Sequence, residues 1–284
     1  MSRRLAFTKM HGAGNDFVVL DGLRSELPPL EALARRLGDR HFGIGFDQLL
    51  VVRPSRTADF RMEIYNADGS QVEMCANGIR CFFQYLREAG HTAADALRVE
   101  TLSGVVVPRF AGPGRIRVDM GPPILAPAKI PTRLGDPAGP GPVLDVPLVA
   151  DGRELRVSSV SMGNPHCVFV VEDVEAAPVA LLGPRIERHD AFPNRVNVEF
   201  VEIVSRSHLR QRTWERGAGE TLACGSGACA AVVTSILRGA TAARVRVELR
   251  GGDLEIEWDG AASSVFMTGP AVTVFTGSVE VEGD

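Results

Sequence analysis

The sequence consists of two related halves, and this internal repeat limits the possible folds more than any other feature. Cys75, in the segment Met74-Cys75-Ala76-Asn77-Gly78-Ile79, lies 149 positions before Cys224, in the segment Ala223-Cys224-Gly225-Ser226-Gly227-Ala228. The same offset aligns three further pairs of polar residues, which are Asn15 with Asn164, Gln48 with Asn197, and Asn66 with Glu215. One offset that holds at four separated positions predicts two structurally equivalent halves, each presenting one thiol. Two such thiols indicate chemistry carried out from two sides of one small molecule.

Apolar runs of strand length dominate the chain, and several alternate apolar with polar residues, as half-buried antiparallel strands do. Helical patterns are fewer and cover residues 30–37 and the segments after the two cysteines, 79–88 and 228–237. We therefore expect an α+β protein of two pseudo-symmetric domains, each a mainly antiparallel curved sheet or barrel around a central helix, with the active site in the cleft between them.

The expected domain boundaries follow the repeat. Residues 1–120 form the N-terminal half with Cys75, and residues 148–284 form the C-terminal half with Cys224. Residues 121–147 are rich in proline and glycine and are expected to be a linker between the halves.

Composition excludes several classes of protein. A chain of 284 residues can form two domains that each bury a core. It contains no run of apolar residues long enough to cross a membrane. The basic N-terminus reaches the polar pair Thr8-Lys9 before a signal-peptide core could form, which favours a cytoplasmic location. The net charge of −4 provides no basic surface for nucleic acid.

The five cysteines are an odd number in a chain without an evident export signal, so we expect thiols rather than a disulfide framework. Cys75 and Cys224 each precede a short turn with glycine at the third following position, after which a helical pattern begins. Unpaired backbone N–H groups and the positive end of the helix dipole would then lie beside the sulfur, where they can lower the thiol pKa or bind a carboxylate.

Cysteine is more often a small buried apolar residue than a catalytic one. Two cysteines at equivalent positions of a repeat, each in a glycine-containing turn, favour a functional pair over that interpretation. The remaining three lie inside helical or strand-like runs and are expected to be core thiols: Cys81, Cys167 and Cys229.

Signals for a metal or an organic cofactor are weak. The spacings between neighbouring cysteines do not match those of structural zinc sites. Gly12-Ala13-Gly14 begins a dinucleotide-binding pattern, but Phe17 stands at its sixth position and a strand follows. The only lysines, Lys9 and Lys129, lie near the N-terminus and in the proline-rich segment, and neither suits a pyridoxal Schiff base. We therefore expect no cofactor and no metal, and chemistry performed by side chains.

The residues singled out above belong to motifs of a known family. The chain resembles the diaminopimelate epimerases, pyridoxal-independent enzymes of bacterial lysine and cell-wall precursor synthesis, and the resemblance covers essentially the whole chain. The motifs in the first half are Met10-His11-Gly12-Ala13-Gly14-Asn15-Asp16-Phe17, Gly45-Phe46-Asp47-Gln48, Asn66-Ala67-Asp68-Gly69-Ser70, and Glu73-Met74-Cys75-Ala76-Asn77-Gly78-Ile79-Arg80-Cys81. Those in the second half are Gly163-Asn164-Pro165-His166, Arg195-Val196-Asn197-Val198, Trp214-Glu215-Arg216-Gly217, and Glu220-Thr221-Leu222-Ala223-Cys224-Gly225-Ser226-Gly227-Ala228.

The resemblance implies an epimerase that interconverts L,L- and meso-diaminopimelate by a two-base mechanism. Cys75 and Cys224 would be catalytic, one thiolate removing the α-proton while the other thiol supplies a proton to the opposite face of the carbon. Backbone N–H groups of the two cysteine turns would hold the reacting carboxylate, at Ala76, Asn77, Gly225 and Ser226. The family's other substrate-binding positions fall on Asn15, Gln48, Asn66, Asn164, Asn197, Glu215 and Arg216. The family pattern also implies a homodimer, and it assigns tuning of the cysteine pair to His166 and Glu215.

Two residues depart from the family pattern. Ala76 stands where many members have glycine, and we expect its N–H to remain available and activity to survive. Phe275 stands in a C-terminal strand where some members have tyrosine at the dimer interface, so any hydrogen bond from that hydroxyl is absent.

Two other functions stay open from the sequence. The nearer one is another two-cysteine amino-acid racemase of the same fold, acting for example on histidine, because a fold does not fix a substrate. Arg216 together with Asn66 and Asn197 favours instead a substrate with a second amino-acid end. From a different class, the protein could be a thiol redox or metal-binding module.

Overall fold

The structure, a computed structural model, describes residues 2–136, 138–139, 141–260 and 262–282. The chain forms two compact units. The first contains the residues up to Val118 together with those from Thr268 on, and the second contains Asp119–Met267.

Strands make up most of the regular structure. In chain order they are β1 (Ser2–Gly12), β2 (Asn15–Asp21), β3 (Gln48–Arg53), β4 (Phe60–Asn66), β5 (Gln71–Val72), β6 (Val99–Thr101), β7 (Gly104–Val106), β8 (Arg109–Phe110), β9 (Arg115–Asp119), β10 (Val143–Ala150), β11 (Arg153–Ser161), β12 (Pro165–Val170), β13 (Asn197–Ser205), β14 (His208–Glu215), β15 (Gly219–Thr221), β16 (Arg244–Leu249), β17 (Gly252–Glu257), β18 (Phe266–Pro270) and β19 (Val272–Glu282). The helices are α1 (Leu30–Gly38), α2 (Ala76–Glu88), α3 (Val179–Glu187) and α4 (Gly225–Leu237), with a short 3₁₀ helix at Pro127–Lys129. No helix among the described residues is both long and apolar enough to cross a bilayer.

Each unit is organised around a mainly antiparallel sheet. The first sheet has the strand order β19-β1-β2-β3-β4-β6-β7 with β5 beside β4, and the second has the order β10-β11-β12-β13-β14-β16-β17-β18-β9-β8 with β15 beside β14. The parallel pairs are β2–β3, β4–β6, β12–β13 and β14–β16. The α+β class is therefore confirmed. Of the two forms expected, the described strands adopt the open sheet, since no pairing joins β19 to β7 or β10 to β8.

The repeat seen in the sequence is a repeat of structure. The helices α1 and α3 begin 149 positions apart, and so do α2 and α4. The strand registers obey the same offset, because Phe17 lies opposite Gln48 in the first unit and His166 lies opposite Asn197 in the second. The prediction of two structurally equivalent halves is confirmed.

The central strands are buried on both faces because a helix covers each face. Leu50 of β3 lies under Gly78 of α2, while its neighbours along the strand pack with α1. In the second unit Glu199 of β13 lies under Gly227 of α4, while Val198 packs with α3. This double cover explains the nearly continuous apolar runs in the inner strands, which a sheet with one solvated face does not show.

The boundaries of the units differ from the expected ones. Strand β19 pairs with β1, so the C-terminal residues belong to the first unit and not to the second. The segment 121–147 lies within the second unit and includes the 3₁₀ helix and the start of β10. Pro137 and Pro140 of that segment lie outside the described residues. The sequence also does not predict α3, because Gly183 and Pro184 inside it oppose helix formation.

Candidate active site

Cys75 is the residue that caps the N-terminus of α2. Its backbone is extended (φ −137°, ψ 117°), and its sulfur accepts a hydrogen bond from the N–H of Gly78 at 3.4 Å. The helix starts at Ala76, three residues earlier than the apolar pattern indicates, so the N–H groups of Ala76 and Asn77 belong to its first turn. These groups have no partner within the helix and can bind an anion.

The first unit places the amide of Asn15 beside Cys75. The side-chain oxygen of Asn15 accepts from the thiol at 3.7 Å and from the Asn77 amide at 3.3 Å. Asn15 follows a tight turn at Ala13 and Gly14, both with positive φ, that joins β1 to β2. Its Nδ2 donates to Asp47 Oδ2 at 2.7 Å, so a carboxylate fixes the orientation of the amide.

A charged network supports Asp47 and Asn15 from behind. Arg40 donates to both Asp16 and Asp47, at 2.7 and 2.8 Å, and Lys9 donates to Asp16. Burial alone would raise the pKa of Asp16, but hydrogen bonds and charges from Arg40 and Lys9 outweigh it and lower that pKa to about 2. Asp16 is therefore ionised at neutral pH.

Gln48 and Asn66 face each other across β3 and β4. Gln48 Nε2 donates to Asn66 Oδ1 at 3.0 Å, and the Asn66 amide donates to Ser70 at 2.9 Å. The other amide atom of Gln48, Oε1, is buried and receives no hydrogen bond from a described residue. A buried carbonyl oxygen of this kind suits a donor group on a substrate.

Cys224 repeats the arrangement of Cys75 at the start of α4. Its sulfur accepts from the N–H of Gly227 at 3.4 Å and lies 3.5 Å from the hydroxyl of Ser226. Burial raises the pKa of the Cys224 thiol, and the carboxylates of Glu215 and Glu199 raise it further. This thiol therefore lies in surroundings that favour its neutral form.

A chain of buried side chains leads from Glu199 to Asn164. Glu199 Oε1 lies 2.8 Å from His166 Nδ1, and His166 Nε2 lies 3.0 Å from Asn164 Oδ1. His166 and Glu199 are both completely buried. The carboxylate thus holds the imidazole in one orientation, and the imidazole holds the Asn164 amide.

The remaining predicted residues of the second unit lie around the β14–β15 turn. Asn197 accepts from the backbone N–H of Arg216 at 2.9 Å and donates to the Pro165 carbonyl at 3.0 Å. The guanidinium of Arg216 is exposed and donates to the Asn194 carbonyl at 3.0 Å. Burial raises the pKa of Glu215, partly offset by a hydrogen bond from Thr221 at 2.6 Å.

Each unit therefore gathers its share of the predicted residues around its own cysteine turn or around the strands beside it. The sequence prediction missed three carboxylates that hold these residues in place. Asp47 orients Asn15, Glu199 orients His166, and Glu187 accepts from Trp214 Nε1 and from the N–H of Gly217 at 2.8 and 3.1 Å. Asp47 and Glu199 could have been found as charged residues next to or inside strand-like apolar runs. Among the described residues, no group of three or more His, Cys, Asp or Glu side chains could hold a metal ion.

Comparison with known proteins gives one consistent result. The family model described as diaminopimelate epimerase matches residues 7–126 and 158–274, which are parts of both units. The chain is 53% identical over 280 residues to a protein named diaminopimelate epimerase from Aromatoleum aromaticum, covering 98% of this chain and 99% of the relative. It is 51% identical over 282 residues to a protein of the same name from Moorella thermoacetica, covering 97% and 99%.

Solved structures with much lower sequence identity share the fold. A phenazine biosynthesis protein of the PhzF family from Bacillus anthracis has a TM-score of 0.70 at 16% identity, covering 98% of this chain and 99% of that one. A probable proline racemase from Agrobacterium radiobacter also has a TM-score of 0.70, at 17% identity, covering 99% and 93%. These similarities concern architecture alone, whereas the near full-length relatives above share half of all residues. The chain belongs to the diaminopimelate epimerase family.

Proposed function

We propose that this protein is a cofactor-independent epimerase that interconverts L,L- and meso-diaminopimelate, with Cys75 and Cys224 as the proton-transferring pair. One observation carries the assignment of the pair. Both sulfurs cap a helix N-terminus, and both accept a hydrogen bond from the N–H three residues on at 3.4 Å. Inversion at a carbon requires a base on one face and an acid on the other, and a duplicated thiol provides both groups.

The proton balance of the reaction is simple. The thiolate of one cysteine takes the α-proton and becomes a thiol, while the electron pair left on the carbon spreads into the adjacent carboxylate. The thiol of the other cysteine then protonates the opposite face and becomes a thiolate. The two cysteines exchange these roles in the reverse direction.

The α-hydrogen of an amino acid is a very weak acid, so the carbanionic transition state needs stabilisation. The N–H groups at the starts of the two helices supply it by holding the reacting carboxylate: Ala76, Asn77, Gly225 and Ser226. Donors that meet developing negative charge contribute about 3 kcal/mol each in comparable sites. The methyl group of Ala76 does not remove its N–H, so activity is retained at this position.

The other polar residues bind the substrate and set its specificity. We assign recognition of the α-amino and distal amino-acid groups to Asn15, Gln48, Asn66, Asn164, Asn197, Glu215 and Arg216. Arg216 has the planar fork that binds a carboxylate with two hydrogen bonds. The buried Oε1 of Gln48, which lacks a donor among the described residues, suits a substrate N–H. We further propose a homodimer, which the family resemblance supports, and a cytoplasmic location.

Proton NMR in D2O tests this function. Reduced protein with L,L-diaminopimelate should lose the α-proton signal of the substrate and form the meso isomer, whereas Cys75→Ala and Cys224→Ala should each be at least about a thousandfold slower, because one of two proton-transfer groups is missing. Cys81→Ala is the matched control, since Cys81 lies in the same helix α2 but is a core thiol whose burial raises its pKa to about 12. Full turnover by either catalytic variant would overturn the cysteine assignment.

If the reduced, folded wild-type protein exchanges no α-proton of diaminopimelate, the substrate assignment is wrong. A panel of other amino acids, beginning with histidine, would then separate a different racemase from a protein without this activity.

A further inference from the structure

A buried polar cluster lies beneath the start of α4, and only one of its members, His166, has a role in the family pattern. Its members come from three neighbouring strands, and none is more than 2% exposed: His166, Glu199, Gln211 and Thr213. Glu199 is at the centre. One of its carboxylate oxygens binds His166, and the other accepts from Gln211 Nε2 at 2.8 Å and from the Thr213 hydroxyl.

The repeat supplies an internal comparison for this cluster. At the four equivalent positions the first unit has only apolar residues, all 2% exposed or less: Phe17, Leu50, Met62 and Ile64. The strand registers confirm the equivalence, because Glu199 lies opposite Thr213 as Leu50 lies opposite Ile64. A Cβ atom placed on Gly78 would meet Leu50, and one placed on Gly227 would meet the Glu199 carboxylate.

The first unit also shows that the fold does not need the polar cluster. Burying a carboxylate is unfavourable unless hydrogen bonds and opposite charge compensate for the lost hydration. Leu50 fills the same place with an apolar side chain and carries none of this cost. A buried carboxylate at a position where an apolar side chain would pack well is better explained by a role in the reaction than by a contribution to stability.

The two units use different carboxylates to hold equivalent asparagines. In the first unit Asp47 binds Asn15 directly, and Asn15 in turn contacts the Cys75 thiol. The position equivalent to Asp47 in the second unit is Val196, which cannot do this. There the carboxylate is supplied from inside the core, by Glu199, and reaches Asn164 through the imidazole.

We propose that Glu199 is a positioning residue of the epimerase reaction, which orients Asn164 through His166 and whose charge beneath α4 makes Cys224 inequivalent to Cys75. The inference rests on the proposed function. It explains why one half of a duplicated protein carries a buried carboxylate that the other half lacks.

The charges around the two sulfurs agree with this inequivalence. The carboxylates acting on Cys224 from the packed strands are Glu199 and Glu215, the imidazole of His166 lies against Glu199, and α4 itself carries no charged residue. In the first unit the buried guanidinium of Arg80 binds Asn77 Oδ1 at 2.8 Å, one turn from Cys75, and the residue equivalent to Arg80 is Cys229. A buried cation therefore lies within the helix that Cys75 caps, whereas buried carboxylates lie beneath the helix that Cys224 caps and disfavour the thiolate of Cys224.

The test is the pH dependence of alkylation of each cysteine in Glu199→Gln, which keeps the shape of the side chain and removes its charge. Reduced protein without substrate is treated with iodoacetamide, and each modified cysteine is quantified by peptide mass spectrometry. We expect Cys224 to react at least about threefold faster at a given pH below its midpoint, with its profile moved to lower pH, because a nearby negative charge no longer opposes the thiolate. The profile of Cys75 should not move.

Glu202→Gln is the matched control, since it removes the same charge from the same strand and its carboxylate binds Arg210 and the N–H of Val174 instead. Thr213→Val, which removes one donor to Glu199, replaces Glu199→Gln if that variant does not fold. In turnover, Glu199→Gln should lower kcat/KM for L,L-diaminopimelate about tenfold, because Asn164, which is assigned to substrate recognition, is held less firmly.

The inference would be overturned if the alkylation profiles of Cys224 in folded wild-type and Glu199→Gln protein were superimposable. If Cys224 resists alkylation, the pH profiles of kcat/KM of the two proteins are compared instead, and identical profiles would overturn the inference. These outcomes are distinct from failure of the proposed function, which would appear as a wild-type protein that does not epimerise diaminopimelate at all.

Discussion

At the scale of single residues, the carboxylates that hold the site asparagines matter as much as the asparagines themselves. Asn15 can accept from the Cys75 thiol only while its Nδ2 is held by Asp47, because rotation of the amide would place an N–H group against the sulfur. We expect Asp47→Asn to lower kcat/KM for L,L-diaminopimelate by about 10- to 100-fold, the equivalent of losing one charge-assisted hydrogen bond of roughly 1.5–3 kcal/mol. Steady-state kinetics on folded protein measures this.

Asp95→Asn is the control for Asp47→Asn, because Asp95 belongs to the same unit and its side chain is 84% exposed. It should leave kcat/KM within twofold of wild type, roughly the limit for a surface substitution. Equal kinetics for the two variants would show that the Asn15 amide keeps its orientation without Asp47. The sequence motif Gly45-Phe46-Asp47-Gln48 contains this residue, but nothing in the sequence indicates that it touches Asn15, which lies 32 positions earlier.

At the scale of elements, the two cysteine-capped helices are equivalent in backbone and different in what lies under them. A Cβ atom on Gly227 would stand 2.6 Å from an oxygen of Glu199, whose carboxylate is fixed by its hydrogen bonds. A Cβ atom on Gly78 would stand 3.2 Å from a methyl group of Leu50, which can move. We therefore expect Gly227→Ala to destabilise the protein by about 1–3 kcal/mol through overpacking.

Gly78→Ala is the matched comparison, and its contact with Leu50 is partly offset by the better helix propensity of alanine, about 1 kcal/mol. Thermal or urea unfolding of both variants measures whether Gly227→Ala loses more stability than Gly78→Ala. Equal losses of stability would mean that the Glu199 carboxylate can move as easily as a leucine methyl group.

How much of each element can be predicted from the sequence depends on where its stabilisation comes from. The repeat and the apolar runs predict the strands and the start of α1 well, but the starts of α2 and α4 are predicted three residues too late. Ala76-Asn77-Gly78 resembles a turn, and the helix begins there with the Cys75 sulfur accepting from the N–H of Gly78 as its cap. Helix propensity does not predict α3, because the helix contains Gly183 and Pro184, whereas the apolar pattern does predict α1, which begins 149 positions earlier. Gly183 is required because a Cβ atom there would stand 2.5 Å from Trp214.

At the scale of the whole molecule, the C-terminal residues follow the second unit in sequence but belong to the first unit in the structure. The repeat predicts that residues after 148 form the second half, yet β19 pairs with β1 over ten residue pairs, more than 260 positions away in sequence. Hydrophobic periodicity predicts that both segments are strands but cannot say which strands pair, because pairing between distant segments depends on the assembled core. The sequence therefore does not predict that β19 belongs to the first unit, whereas the structure shows it.

The pairing of β1 with β19 makes a prediction about the first unit. A chain that ends at Ala271 loses β19, one of the two partners of β1, which leaves the backbone groups of β1 that face β19 unpaired and uncovers Leu5, now only 3% exposed. We expect this chain to be aggregated, or to unfold at a clearly lower temperature than the full chain, because unpaired edge strands associate and uncovered apolar surface costs stability. A chain that ends at Glu282 is the control and should behave as the full chain. Size-exclusion chromatography and thermal unfolding compare the three, and a monodisperse Ala271 chain with an unchanged unfolding temperature would show that β19 does not stabilise the first unit.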